Sequence, residues 1–162
     1  MRCFLIATLV AAFALSASAE EKSDLAANMK NAKVSLERGM AASKSKGTPI
    51  SAKYEIEDGK LQLSVYTAKG DTFSEVIVDH KTGKLAKSEP ITGGDDLTAA
   101  KSQNETMSKA KTSLQAAVSK AVKANKGYKA VSAMPSLKDG HPTADITLMK
   151  GAESKTVSRP LD

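Results

Sequence analysis

Two turn signals recur at one spacing along the chain. Asp58-Gly59 returns as Asp139-Gly140, and Lys69-Gly70 returns as Lys150-Gly151, both 81 residues later. Ile50 and Ala52 return as Val131 and Ala133 at the same offset. Met29, Ala32, Leu36 and Met40 return as Met107, Ala110, Leu114 and Val118 at an offset of 78. The three-residue difference falls between helix and first strand, where a loop absorbs it. Self-similarity shared by turns and apolar positions reads as a duplication of one supersecondary unit.

The first unit has a legible pattern. Leu25, Met29, Ala32, Leu36 and Met40 step by three or four, which places one apolar stripe on a helix. Ser23 or Asp24 can cap its start, and Gly47-Thr48-Pro49 stops it. Ile50, Ala52, Tyr54 and Ile56 alternate with polar residues, as a strand with one buried face does. Asp58-Gly59 signals a two-residue hairpin, because both central positions of that turn take positive φ. Leu61, Leu63 and Val65 form the inward set of a second strand, and Phe73 to Val78 a third. The fold class expected is α+β, with two repeated units, each a helix packed on a three-stranded antiparallel sheet.

The third strand runs into Val78-Asp79-His80-Lys81-Thr82-Gly83-Lys84-Leu85. Val-Asp, two variable residues, Thr-Gly-Lys and an apolar residue resemble the closing strand and turn of a PepSY domain. The resemblance extends through the preceding helix and hairpin and covers nearly all the chain after residue 19 as two units. It marks Val78, Asp79, Thr82, Gly83 and Lys84 as the family-motif turn, in which Asp79 bonds its own following backbone and Gly83 supplies a left-handed residue. PepSY domains occur in propeptides of thermolysin-like secreted peptidases and in free-standing envelope proteins, and are proposed to restrain peptidase activity. The resemblance therefore implies a non-enzymatic module with a protein partner, an envelope peptidase being the kind implied. The second copy departs from the pattern: Asp79 maps onto Pro160, and the counterpart of Gly83 falls beyond Asp162.

Residues 1–19 read as an export signal. Arg2 supplies a positive start, Phe4 to Leu15 is apolar and uncharged, and Ser16-Ala17-Ser18-Ala19 offers small residues before Glu20. The apolar run is shorter than the roughly 20 residues a bilayer requires. Cys3, the only cysteine, leaves with this peptide, so no disulfide is expected and stability rests on packing. The expected location is the periplasm, with secretion as the alternative. The expected units are 20–90 and 96–162, joined by a linker at 91–95 within the Ser88–Gly94 stretch. The second helix is expected from Leu97 to about Asn125, with an interruption at Ser102-Gln103-Asn104. A core of this size supplies no more than about 3–5 kcal/mol. The units are thus expected to share an interface, with Tyr66, Phe73 and Ile77, which lie off the inner face, as its candidate contacts.

The balance is basic, 24 Lys and Arg against 18 Asp and Glu. Nucleic acid is not the expected partner, because aromatics are 4% of the chain and there is no Trp for base stacking. The cations are 21 Lys and only 3 Arg, whereas groove readers favour the guanidinium fork. The excess is local: seven lysines lie between Lys101 and Lys129, with Glu105 the one acid. Lys120, Lys123, Lys126 and Lys129 are the candidate surface for an anionic partner, such as an acidic protein or lipid headgroups on a membrane surface that the chain does not span. This basic envelope factor is the alternative to the protein-binding module.

Chemistry is sparse. There is no Gly-x-Ser-x-Gly elbow, no Ser-x-x-Lys signature and no cysteine after Cys3, so no activated nucleophile is expected. Asp95-Asp96 reads as helix capping. His80 and His141 each have one neighbouring aspartate, fewer ligands than a first-row metal site wants. A metal-handling protein using both histidines is the least favoured reading. No enzyme activity and no cofactor are expected.

Overall fold

The computed structural model describes the backbone of residues 13–162 and side chains from Glu20 onward. The first twelve residues of the expected export signal lie outside the described residues. The elements are α1 (Phe13–Asn28), a 3-10 turn (Met29–Asn31), α2 (Leu36–Ser43), β1 (Thr48–Glu57), β2 (Lys60–Lys69), β3 (Thr72–Val78) and β4 (Leu85–Ile91). They continue as α3 (Gly94–Ser108), α4 (Leu114–Ala124), β5 (Lys129–Lys138), β6 (His141–Lys150) and β7 (Glu153–Pro160). The class is α+β. In place of two separate three-stranded layers, seven strands form one antiparallel sheet in the order β4-β3-β2-β1-β5-β6-β7. β1 and β5 join at its centre through Ala52↔Ala133 and Lys53↔Ser132.

Local chemistry sets the register. Asp58 and Asp139 take φ of 49° and 52°, followed by Gly59 and Gly140 at 73° and 81°. Two consecutive positive-φ residues make the turn that matches strand twist, and Asp-Gly is suited to it. The ladder slips between Pro49 and Ser51 in β1, and between Ala130 and Ser132 in β5. β4 corrects the linker expected from Ser88 onward, since Leu85 to Ile91 pairs with β3. Its side chains are almost all exposed, so no burial-driven alternation announces it. Pro90 is tolerated because β4 is an edge strand. The linker narrows accordingly: Ile91 closes β4 and Gly94 opens α3.

Each expected long helix is two pieces. α1 ends at Asn28 and α2 starts only at Leu36, where the Ser35 hydroxyl accepts from the Arg38 N–H at 3.2 Å. Between them, the N–H groups of Lys33 and Val34 both donate to the His80 carbonyl, at 2.9 and 3.0 Å. The second break is not at Ser102–Asn104 but after Ser108. There Lys111 and Thr112 both donate to the Leu161 carbonyl, at 2.7 and 2.8 Å, and Ser113 caps α4 through the Ala116 N–H. Helical spacing survives the first break because both pieces face one core. It survives the second because Met107 and Ala110 still pack against that core while the rest of α3 lies elsewhere. Periodicity alone reveals neither break.

α2 and α4 pack against each other and against one sheet face. Leu36, Met40, Leu63, Val65, Val76 and Val78 from the first half share one buried cluster with Leu114, Val118, Ile146, Leu148 and Leu161 from the second. Gly39 lets α2 approach β2 closely, because a Cβ there would stand 2.6 Å from Leu63 Cδ2. α1 adds Ala26 to this cluster, and Met29 follows it. α3 lies on the opposite face, where Ala100 meets Ile50, Ala68 and Phe73, flanked by Tyr66, Ile91, Leu97 and Met107. α1 and α3, which occupy comparable places in the chain, thus serve different faces.

Because the main cluster is undivided, Leu36→Ala and Leu114→Ala should each cost about 2–5 kcal/mol. Both should shift the same single urea transition, followed by circular dichroism. Two resolved transitions, each sensitive to only one substitution, would show independent halves.

Candidate functional site

The motif turn is built by its own backbone. At the end of β3, the Asp79 N–H donates to the Lys84 carbonyl and the Gly83 N–H to the Asp79 carbonyl, each at 2.8 Å. Asp79 Oδ1 accepts from the N–H groups of Lys81 and Thr82, both at 2.8 Å, and the Thr82 hydroxyl accepts from the Lys84 N–H at 3.3 Å. The Thr82 and Lys81 N–H groups hold the Asp79 carboxyl below its ordinary range. Gly83 takes φ of 78° and lies against Arg38, whose guanidinium reaches the Thr82 carbonyl at 3.4 Å. Val78 is buried beneath. With the His80 carbonyl holding Lys33 and Val34, the turn ties the end of β3 to the start of α2. Tyr54 completes this corner by donating its buried hydroxyl to the Val34 carbonyl, and burial, then the charge of Glu37, pushes its phenol up. The sequence reading placed Tyr54 only on an apolar face; an isolated hydroxyl on that face was the available signal.

The two histidines do not meet. β3 and β6 are four strand spacings apart, about 19 Å, and His80 and His141 project from opposite ends of the sheet. His80 Nδ1 is buried with no hydrogen-bond partner among the described residues. His141 Nδ1 lies 2.9 Å from Asp162 Oδ2 in an exposed pair, and that contact lowers the Asp162 pKa. Among the described residues no three His, Cys, Asp or Glu side chains come together as a metal would require.

One polar cluster escaped the sequence reading. Lys138 Nζ donates to Asp145 Oδ1 at 2.7 Å and to Ser158 Oγ at 2.8 Å, while Ser158 also donates to Asp145. Lys138 first and Ser158 second hold the aspartate below its ordinary range. The three side chains form an exposed cross-strand ladder. Its residues sit on three strands, and only pairing brings them together.

Phe73 is buried against Ala100 of α3, with Tyr66 beside it. Ile77 is half-buried outside that cluster, opposite Ser64 and Lys87. Beside Tyr66, a pocket of about 150 Å³ opens between α3 and the sheet, lined by Lys53, Asp96 and Gln103 among others. Its wall is held by Ser51, which donates to Gln103 at 2.7 Å, and burial pushes the Tyr66 phenol to about 12.

All seven lysines from Lys101 to Lys129 are exposed, but they do not form one surface. Lys109 pairs with Glu105, and Lys111 lies at the Leu161 end of the sheet. Lys120 and Lys123 are on α4, while Lys126 and Lys129 lie where α4 passes into β5. That is the far end of the sheet, because Lys129 pairs with Met149 near the end of β6. No protein-family model, no curated protein and no solved structure matches this chain.

Folding lowers the Asp79 pKa, so its contribution is present above the ordinary value of 3.8 and fades as pH falls through the folded value. Asp79→Ala should therefore lower the urea midpoint at neutral pH, and the gap from the parent should close in acid. Gly83→Ala should cost about 1–2 kcal/mol at both pH values, because its strain is conformational. An Asp79→Ala deficit that does not narrow in acid would exclude the carboxylate as its source.

Proposed function

We propose that this chain is an exported, non-enzymatic PepSY-like protein made of two copies of one unit, which binds and restrains an envelope peptidase. The periplasm is its compartment in this reading, with secretion as the alternative. Matching detail supports the duplication. The ladder slips, the Asp-Gly turns, the serine caps and the twice-used carbonyls recur at the offsets of 81 and 78 found in the sequence. The crossing of α3 to the other face and the added β4 are, in this reading, where the copies have diverged.

The observation that carries the binding role is the open edge at β7. Among the described residues β7 pairs only with β6, and six of its eight residues are exposed. From Glu153 to Arg159 no proline interrupts it, whereas β4 at the other edge carries Pro90. An extended segment of a partner can add there as an eighth strand, with main-chain hydrogen bonds supplying affinity.

The test uses the protein purified from the envelope, which is expected to lack Cys3. Thr156→Cys, labelled with a photoreactive maleimide, should crosslink an envelope protein that the equivalent Lys44→Cys probe does not capture. The unlabelled protein should slow proteolysis in envelope extracts. Unchanged proteolysis together with no β7-specific adduct would remove this reading.

A further inference from the structure

We infer that the end of the molecule at the β6–β7 turn carries a docking surface for anionic lipid headgroups, distinct from the β7 edge. Two adjoining pockets meet there. One, of about 130 Å³, is lined by Ala26, Met29, Lys30, Gly127, Lys129, Met149, Lys150 and Gly151. The other shares Ala26, Lys30 and Gly151 and adds Lys22. Lys22 and Lys30 come from the first helix and the 3-10 turn after it, Lys129 from the start of β5 and Lys150 from the end of β6. Four exposed ammonium groups from three parts of the chain thus border two adjoining depressions that no carboxylate lines, although Lys22 also shares a third pocket with Glu21, Glu55 and Glu57. The nearest acid along β7, Glu153, already accepts from the Tyr128 hydroxyl, and Lys155 lies 4.2 Å over that ring. Lys30, Lys129 and Lys150 thus gather on one depression with no carboxylate in its lining, and like charges so placed cost the fold free energy unless an anion meets them.

The chemistry favours a phosphate-bearing surface over a single tightly held small molecule. All four cations are lysines, compact point charges without the guanidinium fork that grips one anion bidentately. The adjoining depression, of about 510 Å³, leaves room for the groups that flank a headgroup phosphate in a lipid, and the smaller one admits the phosphate itself. Its floor of Ala26, Met29 and Met149 is apolar and offers no donor to orient a soluble ligand. The apolar floor argues for lipid over free phosphate: a headgroup phosphate can meet the lysines while the carbons next to it rest on Ala26, Met29 and Met149, whereas inorganic phosphate gains nothing from that floor. The run Lys101–Lys111 takes no part: Lys111 lies by Leu161, at the opposite end of β6 and about 30 Å away.

Purified protein should co-sediment with vesicles of phosphatidylglycerol mixed with phosphatidylcholine, weakly with phosphatidylcholine alone, and less as salt rises. Lys129→Glu with Lys150→Glu should weaken binding roughly twentyfold or more, and Lys22→Gln with Lys30→Gln should weaken it on an independent element. Lys44→Glu with Lys46→Glu, an equal charge change at the other end of the sheet, should have little effect. Melting curves identify any variant that fails to fold, and the Lys22/Lys30 pair then decides. Binding that both rim pairs leave intact, or that the Lys44/Lys46 pair abolishes equally, would overturn the inference. Displacement by millimolar inorganic phosphate at constant ionic strength would overturn the lipid source and leave a free anion as ligand.

Discussion

Two carbonyl oxygens set the geometry of this molecule. His80 stands just beyond the end of β3 and Leu161 just beyond the end of β7, and each accepts two consecutive N–H groups from the loop ahead of a helix. A doubly used carbonyl satisfies two donors that would otherwise be lost to a helix start, and it fixes where that helix begins. Ser35 and Ser113 then cap α2 and α4 one residue later. With both helices started from fixed points, Leu36 and Leu114 fall onto the same sheet face, and the undivided core follows. No disulfide is needed for this; the clamp is made of backbone alone.

What could be read from residues was what local chemistry dictates. The Asp-Gly turns, the inward residues Ala52, Tyr54, Leu63 and Val65, and the Asp79 turn all have signals within four or five residues and lie where those signals place them. Ile50, expected in the same inward set, packs instead with α3, because the ladder slips between Pro49 and Ser51. The helix breaks had no such signal. Lys33-Val34 and Lys111-Thr112 look like helix in any window, and their departure is caused by carbonyls some fifty residues away. β4 was hidden for the opposite reason: an edge strand with exposed side chains needs no alternation, and its identity comes from pairing with β3.

The candidate surfaces divide along the same line. The turn residues Asp79, Thr82 and Gly83 were recognisable, and their contacts explain them as a joint between β3 and α2. The lysine surface was only half legible. Lys129 was visible as part of a charged run, but Lys22 and Lys30 join it by tertiary proximity from about a hundred residues earlier, and Lys150 across the β5–β6 pairing. Conversely, Lys101 to Lys111 look like members of the run yet belong to the other end of the sheet. Charge counted along a chain is a poor guide to charge on a surface when the chain reverses direction at every hairpin.

The unequal roles of α1 and α3 leave the second sheet face only partly roofed. α3 shelters Phe73 and Ile50, but toward β7 the same face shows Lys138, Asp145, Thr147, Thr156 and Ser158. A bare β-layer with aliphatic side chains would invite another to stack upon it. Here hydroxyls, an ammonium and a carboxylate bind one another across the strands, so this part of the face is exposed without offering the bare apolar layer that would seed fibrils.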